Sequence, residues 1–421
     1  MMLYGKFLNP PNLAKVTVDP ILNPYTPNAG AQPQVMLGRD DQLASFQLLL
    51  GRLQRGRTEQ SMIVTGLRGV GKTALLGQFR RTALASNWVV VEMEIRKHAD
   101  TDFRREVGLH MRRALFDLSP RARWGERMQH AASVLKSFTV TVDESGAITT
   151  GLDVKAAEGR ADHDDLALDL SDLFVAVGEA AQSASRGVVL LLDEIQFLAT
   201  AQLEALITAL HRTVQREVPI TMVGAGLPQI AELAGDAKSY AERLFKFPAI
   251  GSLTGPDARL AFRVPAQEEG GDFSDDALEL AVQITDGYPY FVQELGYAVW
   301  PHADGPMIQV DDVRHAVELY EAKLDSSFFR VRLDRSTAMQ RAYLRAMAEL
   351  GPGPQRSADI AEVMGRTSPQ VAPTRAELIA MGLLYTPEHG QAEFTVPHFD
   401  RYMKRAIPEL EIPPVRRRRT D

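Results

Sequence analysis

Between Thr65 and Leu76 the chain reads TGLRGVGKTALL, directly after the apolar run SMIV. No other stretch restricts the fold as strongly. The pattern G-x-x-x-x-G-K-[ST], met at Gly66, Gly71, Lys72 and Thr73, works only where a buried strand ends in a tight turn that opens a helix. Gly69 and Gly71 allow backbone conformations closed to residues with a Cβ, so successive N–H groups turn inward on one anion. Leu67, Arg68, Val70 and Ala74 complete the loop and its first helical turn, and the helix contributes its positive N-terminal end. The ligand this predicts is a nucleotide phosphate chain. Lys72 would reach the outer phosphates, and the Thr73 hydroxyl would hold Mg2+.

Such a site needs a second strand that ends in acid. GVVLLLDE supplies it, with Asp193 placed to hold the metal through water and Glu194 to polarise an attacking water. Each carboxylate alone would read as an ordinary strand-end acid; the lysine loop gives the pair its meaning. The apolar runs SMIVTG, WVVVEMEI, GVVLLLDE and ITMVGAG alternate with helical patterns, which predicts a parallel sheet covered on both faces.

The predicted organisation has five parts. Residues 1–35 hold six prolines and read as an extended arm. Residues 36–252 form the α/β core, with an insertion over about 100–160 of two amphipathic helices and a hairpin in FTVTVDESGAITTGLDV. Residues 253–332 form a small helical bundle. Residues 333–408 give three helices followed by two strands around a turn, the order of a winged helix-turn-helix, and 409–421 a basic tail.

Composition narrows the function classes. A net charge of -7 excludes a generally basic polyanion binder, so nucleic-acid contact would need a local patch. The chain has no cysteine, which excludes disulfides and thiolate metal sites. The N-terminus lacks the pattern of a signal peptide and no apolar run could span a bilayer, so a cytoplasmic protein without membrane contact is expected. The histidines are scattered without metal-ligand spacing.

MLGRDDQL, the glycine loop, LLLDEIQ and DGYPYFVQELG together resemble the AAA+/STAND branch of P-loop ATPases. In pattern the chain is similar to archaeal-type ATPases and to origin-recognition-type initiators with a C-terminal winged helix. The resemblance implies a P-loop NTPase sheet, a helical lid and ATP with Mg2+ as the cofactors. It sets Gly38 and Arg39 beside the adenine, with Tyr288 and Pro289 closing the pocket from the lid. Adenine rests on the resemblance, since no guanine-reading N-K-x-D is present. Arg243 falls where many such proteins keep an arginine finger acting on a neighbour's nucleotide in a homo-oligomer; on residue type alone it is a surface ion-pair former.

Two departures matter. Relatives place a polar sensor at the end of the strand after the acidic one, where this chain has Gly224, Ala225 and Gly226. Slow hydrolysis is the expectation. Initiators also carry a lid arginine where this chain has Pro289, which tilts the resemblance toward the STAND side.

In the winged unit Arg366, Gln370, Thr374 and Arg375 are candidates to face a groove of double-stranded DNA. Lys404, Arg405 and Arg416–Arg419 are candidates to grip phosphates. Pro373 is awkward inside a helix and offers an alternative helix start. Glu377 and Glu388 count against a cationic face. Two readings stay open: a nucleotide-dependent switch associated with DNA, and a signalling or scaffold ATPase whose winged unit docks a protein partner.

Overall fold

The structure, a computed structural model, describes residues 19–28, 30–97, 99–140, 142–143, 148–149 and 151–414. It contains two compact units. One holds the residues up to Gly38 together with Ser252–Phe328, the other Arg39–Gly251 together with the chain from Phe329 onward.

The larger unit begins with α1 (Asp40–Leu53), β1 (Ser61–Thr65), α2 (Lys72–Ala85), β2 (Val89–Glu94), α3 (Asp100–Leu118), α4 (Glu126–Thr139) and α5 (Leu166–Ser183). It continues through β3 (Val188–Asp193), α6 (Thr200–Gln215), β4 (Ile220–Gly226), α7 (Ile230–Ala237), α8 (Ala241–Leu244) and β5 (Phe245–Lys246). The five strands pair in the order β2-β3-β4-β1-β5, all parallel. Every residue of β1 and β4 is buried, as expected for apolar strands covered on both faces, and in β3 only the final Asp193 is not. Parallel pairing brings the carboxyl ends of β1, β4 and β3 to one edge, with the end of β4 between the glycine loop and Asp193. That edge is the site.

Among the described residues, the hairpin expected from Phe138 onward shows no strand. Helix α4 runs on through Phe138 and Thr139, whose hydroxyl donates to the Leu135 carbonyl at 3.0 Å, and Val140 and Val142 lie in turns. Burial of Phe138 against the core outweighs the local β preference of the Val/Thr alternation. Glu144, Ser145 and Gly146, the expected turn, lie outside the described residues. A buried ion pair ties this insertion to the core: Arg104 Nη2 lies 2.8 Å from Asp169 Oδ2, with its guanidinium 4.7 Å from the Phe138 ring.

The smaller unit contains α9 (Gly255–Glu268), β6 (Asp272–Phe273), α10 (Asp275–Thr285), α11 (Pro289–Val299), β7 (Met307–Ile308) and α12 (Val310–Lys323). Thr254 and Ser274 cap α9 and α10 by accepting from Asp257 and Ala277 N–H. The proline-rich arm belongs to this unit. Tyr25 is buried, its hydroxyl donates to the Phe262 carbonyl, and Gly296 leaves room for its ring: a Cβ there would lie 2.5 Å from Tyr25 Cδ1. Thr26 N–H donates to Gln293 Oε1 at 2.9 Å, and Trp300 Nε1 to the Asp19 carbonyl at 3.1 Å. Tyr25→Ala is expected to cost this unit about 3–5 kcal/mol, as for other buried aromatic truncations, read as a lowered urea midpoint.

The chain from Phe329 adds α13 (Arg330–Leu333), α14 (Ala338–Leu350), β8 (Gln355–Arg356), α15 (Ser357–Val363), α16 (Ser368–Ala380), β9 (Leu384–Tyr385), β10 (Gln391–Phe394) and α17 (Phe399–Ala406). Strand β10 pairs antiparallel with both β8 and β9. Helix α16 does not start at Pro373 but runs through it. The lost hydrogen bond falls near the N-terminus, where the proline is exposed. Among the described residues no helix is long and apolar enough to cross a membrane.

Candidate functional site

The loop after β1 is fixed by its neighbours. Gly66 donates its N–H to the Gly226 carbonyl at 3.1 Å, and a Cβ there would lie 2.5 Å from the Ile250 carbonyl oxygen. Gly69 and Gly71 take φ of 87° and 93°, open only to glycine at low cost. Arg39, buried at the start of α1, donates from Nη2 to the carbonyls of Val70 (3.1 Å) and Gly251 (2.7 Å). It braces the loop from below.

Lys72 is buried, and its Nζ donates to the carbonyls of Gly66 (2.9 Å) and Leu67 (2.8 Å). Burial lowers its pKa, against the opposing pull of Glu194 and Asp193. Thr73 Oγ1 donates to Asp193 Oδ2 at 2.6 Å, so the two expected metal ligands meet across the edge of the sheet. Burial raises the Asp193 pKa, while the Thr73 hydroxyl and the Glu194 N–H, donating to Oδ1 at 2.8 Å, work against the rise. A hydroxyl and a carboxylate are hard oxygen donors that suit Mg2+, which takes its remaining ligands from water and phosphate. Among the described residues no group of three acidic or histidine side chains could hold a metal instead.

Glu194 adopts a left-handed conformation, φ 54° and ψ 36°, uncommon for a residue with a long side chain. It opens a 3-10 turn, Ile195–Phe197, that folds over the end of β4. Gln196 in that turn donates from Nε2 to Glu194 Oε2 and accepts the Leu227 N–H at Oε1, 3.2 Å. The sequence reading gave Gln196 no role, although its place two residues after Glu194 was the available signal.

The C-terminal segment reaches this edge as well. The Arg68 N–H donates to the Thr395 carbonyl at 3.2 Å. Thr395 Oγ1 in turn donates to the carbonyls of Gly382 (2.8 Å) and Leu383 (3.2 Å). Gly382 has φ +70°, and a Cβ there would lie 2.6 Å from Arg68 Nη2. Nothing in the local sequence announces this contact, which joins distant parts of the chain.

Residues 35–223 match the family model described as AAA ATPase domain. Residues 326–403 of the same chain match a model described as a domain of unknown function (DUF8462). No curated protein matched the chain. Among solved structures it is similar to the Orc1 protein of Aeropyrum pernix in complex with DNA, at 16% identity over 89% of this chain and 94% of that one (TM-score 0.42). It is similar to Cdc6p from Pyrobaculum aerophilum at 15% identity over 94% and 99% (TM-score 0.45). The RuvB Holliday junction branch migration motor of Thermotoga maritima is similar at 15% identity over 90% and 96% (TM-score 0.44).

The stretch matched by the AAA ATPase model holds Gly66–Ala74, Arg39, Asp193 and Glu194. Gly38, Tyr288 and Pro289 belong to the smaller unit: a Cβ on Gly38 would lie 2.9 Å from Asp257 Oδ2, and Tyr288 precedes Pro289, the first residue of α11. Arg243 is exposed in α8, just before β5 and beside the amino end of β1, and so at the opposite edge of the sheet from the loop. Within one chain it does not join the site.

The expected groove-facing residues are differently engaged. Arg366 Nη2 donates to the Pro413 carbonyl, and Arg375 Nη2 to Thr386 Oγ1 and the Gln391 carbonyl; both side chains are half-buried. Gln370 Oε1 accepts the Thr367 N–H at 2.9 Å, and Thr367 is the cap of the helix. Thr374 is half-buried. Lys404 and Arg405 are exposed on α17, while Arg416–Arg419 lie outside the described residues.

Proposed function

We propose that this chain is an ATP-binding, slowly hydrolysing ATPase that works as a nucleotide-dependent switch, read out by its own C-terminal segment. Loop N–H groups and Lys72 would bind the phosphates, and Thr73 and Asp193 would hold Mg2+. A bound Mg2+ would neutralise charge on the phosphate oxygens. Glu194 would take the proton from the attacking water. Arg39 would act by bracing the loop. Arg243 would serve only a neighbouring copy of the chain.

The observation that carries the switch is the Arg68 N–H bonded to the Thr395 carbonyl. One amide of the loop that would surround phosphate thus contacts the residue that follows β10, so nucleotide occupancy and C-terminal position would be linked. Amide hydrogen exchange tests this. Saturating ATP is expected to change protection over residues 382–396, and ADP to change it by a different amount. Identical exchange with and without bound ATP would refute the switch.

For the C-terminal segment a protein-docking role is favoured over reading of duplex DNA by α16. The exposed residues of that helix, Pro369, Gln370, Ala372, Pro373, Ala376 and Glu377 among them, include no cation. Phosphate contacts would need several.

A further inference from the structure

The strand between the two motifs, β4, ends in Gly224, Ala225 and Gly226, with no polar side chain to offer the site. These glycines make room for the turn that follows Glu194. A Cβ on Gly224 would lie 2.6 Å from Ile195 Cδ1, and one on Gly226 would lie 2.9 Å from Gln196 Oε1. The polar group at the end of β4 is therefore delivered from β3, by Gln196.

We propose that Gln196 is a positioning residue for hydrolysis, its carboxamide fixing the Glu194 carboxylate to the end of β4. The inference rests on Glu194 acting as the base. Leu227 is buried, so its N–H requires an acceptor, and only the carbonyl side of the carboxamide can provide one. That fixes the amide's orientation. Its N–H side must then face Glu194, where it donates to Oε2. Glu194 is thereby held at both ends: its backbone N–H on Asp193 Oδ1, its carboxylate on Gln196. Glutamine is the side chain of this length that can accept from a backbone N–H and also donate to a carboxylate. A glutamate at 196 could still accept from Leu227 but would set a second negative charge against Glu194.

The test compares Gln196→Ala, the isosteric Gln196→Glu, Glu194→Gln and the double variant Glu194→Gln/Gln196→Ala. Steady-state turnover, KM and ATP affinity are measured on the full chain, with melting curves to establish folding. Loss of one hydrogen bond to a charged group predicts a fall in kcat of about tenfold to a hundredfold in both Gln196 variants, with KM and ATP affinity within twofold. In the Glu194→Gln background, adding Gln196→Ala is expected to change turnover less than twofold. Wild-type kcat in Gln196→Glu would overturn the role and leave Gln196 as a cap for Leu227. A Gln196→Ala loss that is undiminished in the Glu194→Gln background would overturn it equally. Wild-type turnover in Glu194→Gln alone would remove the base assignment itself, and this role with it.

Discussion

Lys72→Ala is expected to weaken ATP binding by roughly a hundredfold or more while leaving the nucleotide-free protein folded. The Lys72 ammonium is buried and satisfied only by the carbonyls of Gly66 and Leu67, so it carries a desolvation cost that an anionic phosphate would repay. The direction of its titration says the same. With a folded pKa lowered by burial, its favourable contribution to stability is present above the unfolded pKa and has been lost once pH falls through the folded one. In its charged form the buried lysine therefore stabilises the empty site less than a solvated one would. Removing it sacrifices two hydrogen bonds but also relieves that cost. At a hundredfold excess of ATP over its Kd, wild-type protein gains about 2.7 kcal/mol, and Lys72→Ala at the same concentration should show almost no thermal shift. Titration calorimetry giving a Kd within threefold of wild type would refute the phosphate role.

Glu194→Gln should reduce steady-state phosphate release by about 10²–10⁴-fold with ATP affinity nearly unchanged, because the amide keeps the shape of the carboxylate and cannot accept a proton. The backbone at this position supports the choice. A left-handed conformation at a non-glycine residue costs about 1–2 kcal/mol and persists only where surrounding contacts enforce it. Those contacts, Asp193 Oδ1 and Gln196, aim the carboxylate at the same edge as Lys72 and Thr73. Release at the wild-type rate would mean that another group activates the water.

Much of this was legible because the carriers are contiguous. Gly66 to Thr73 announce the loop, and the apolar run into Asp193 announces the strand beside it. Both rest on local rules of turn chemistry and burial. The start of the expected hairpin is helical for a physical reason: the valine/threonine alternation from Phe138 is a local preference, and burial of Phe138 keeps it and Thr139 in α4. Arg366 and Arg375 are selected by residue type and by their place on the expected recognition segment. Charge does not reveal that each is bonded within the C-terminal segment. Tyr25 on Phe262 and Arg68 on Thr395 unite residues so distant in sequence that no periodicity could report them. Gln196 is the intermediate case, visible as a letter in the acidic motif but meaningful only once Gly226 and Leu227 are beside it.

The arm carries a consequence for biosynthesis. Tyr25 bonds the carbonyl of Phe262, 237 residues further along the chain, and the whole α/β core is encoded between them. At about 5–20 residues per second, a ribosome would need roughly 12–50 s after releasing Tyr25 to deliver its partner. Throughout that interval the core can close around β1–β5 while a large aromatic side chain and its proline-rich flank wait without their binding surface. The smaller unit is completed only after the larger one has begun, which makes the arm the segment most in need of protection in the nascent chain.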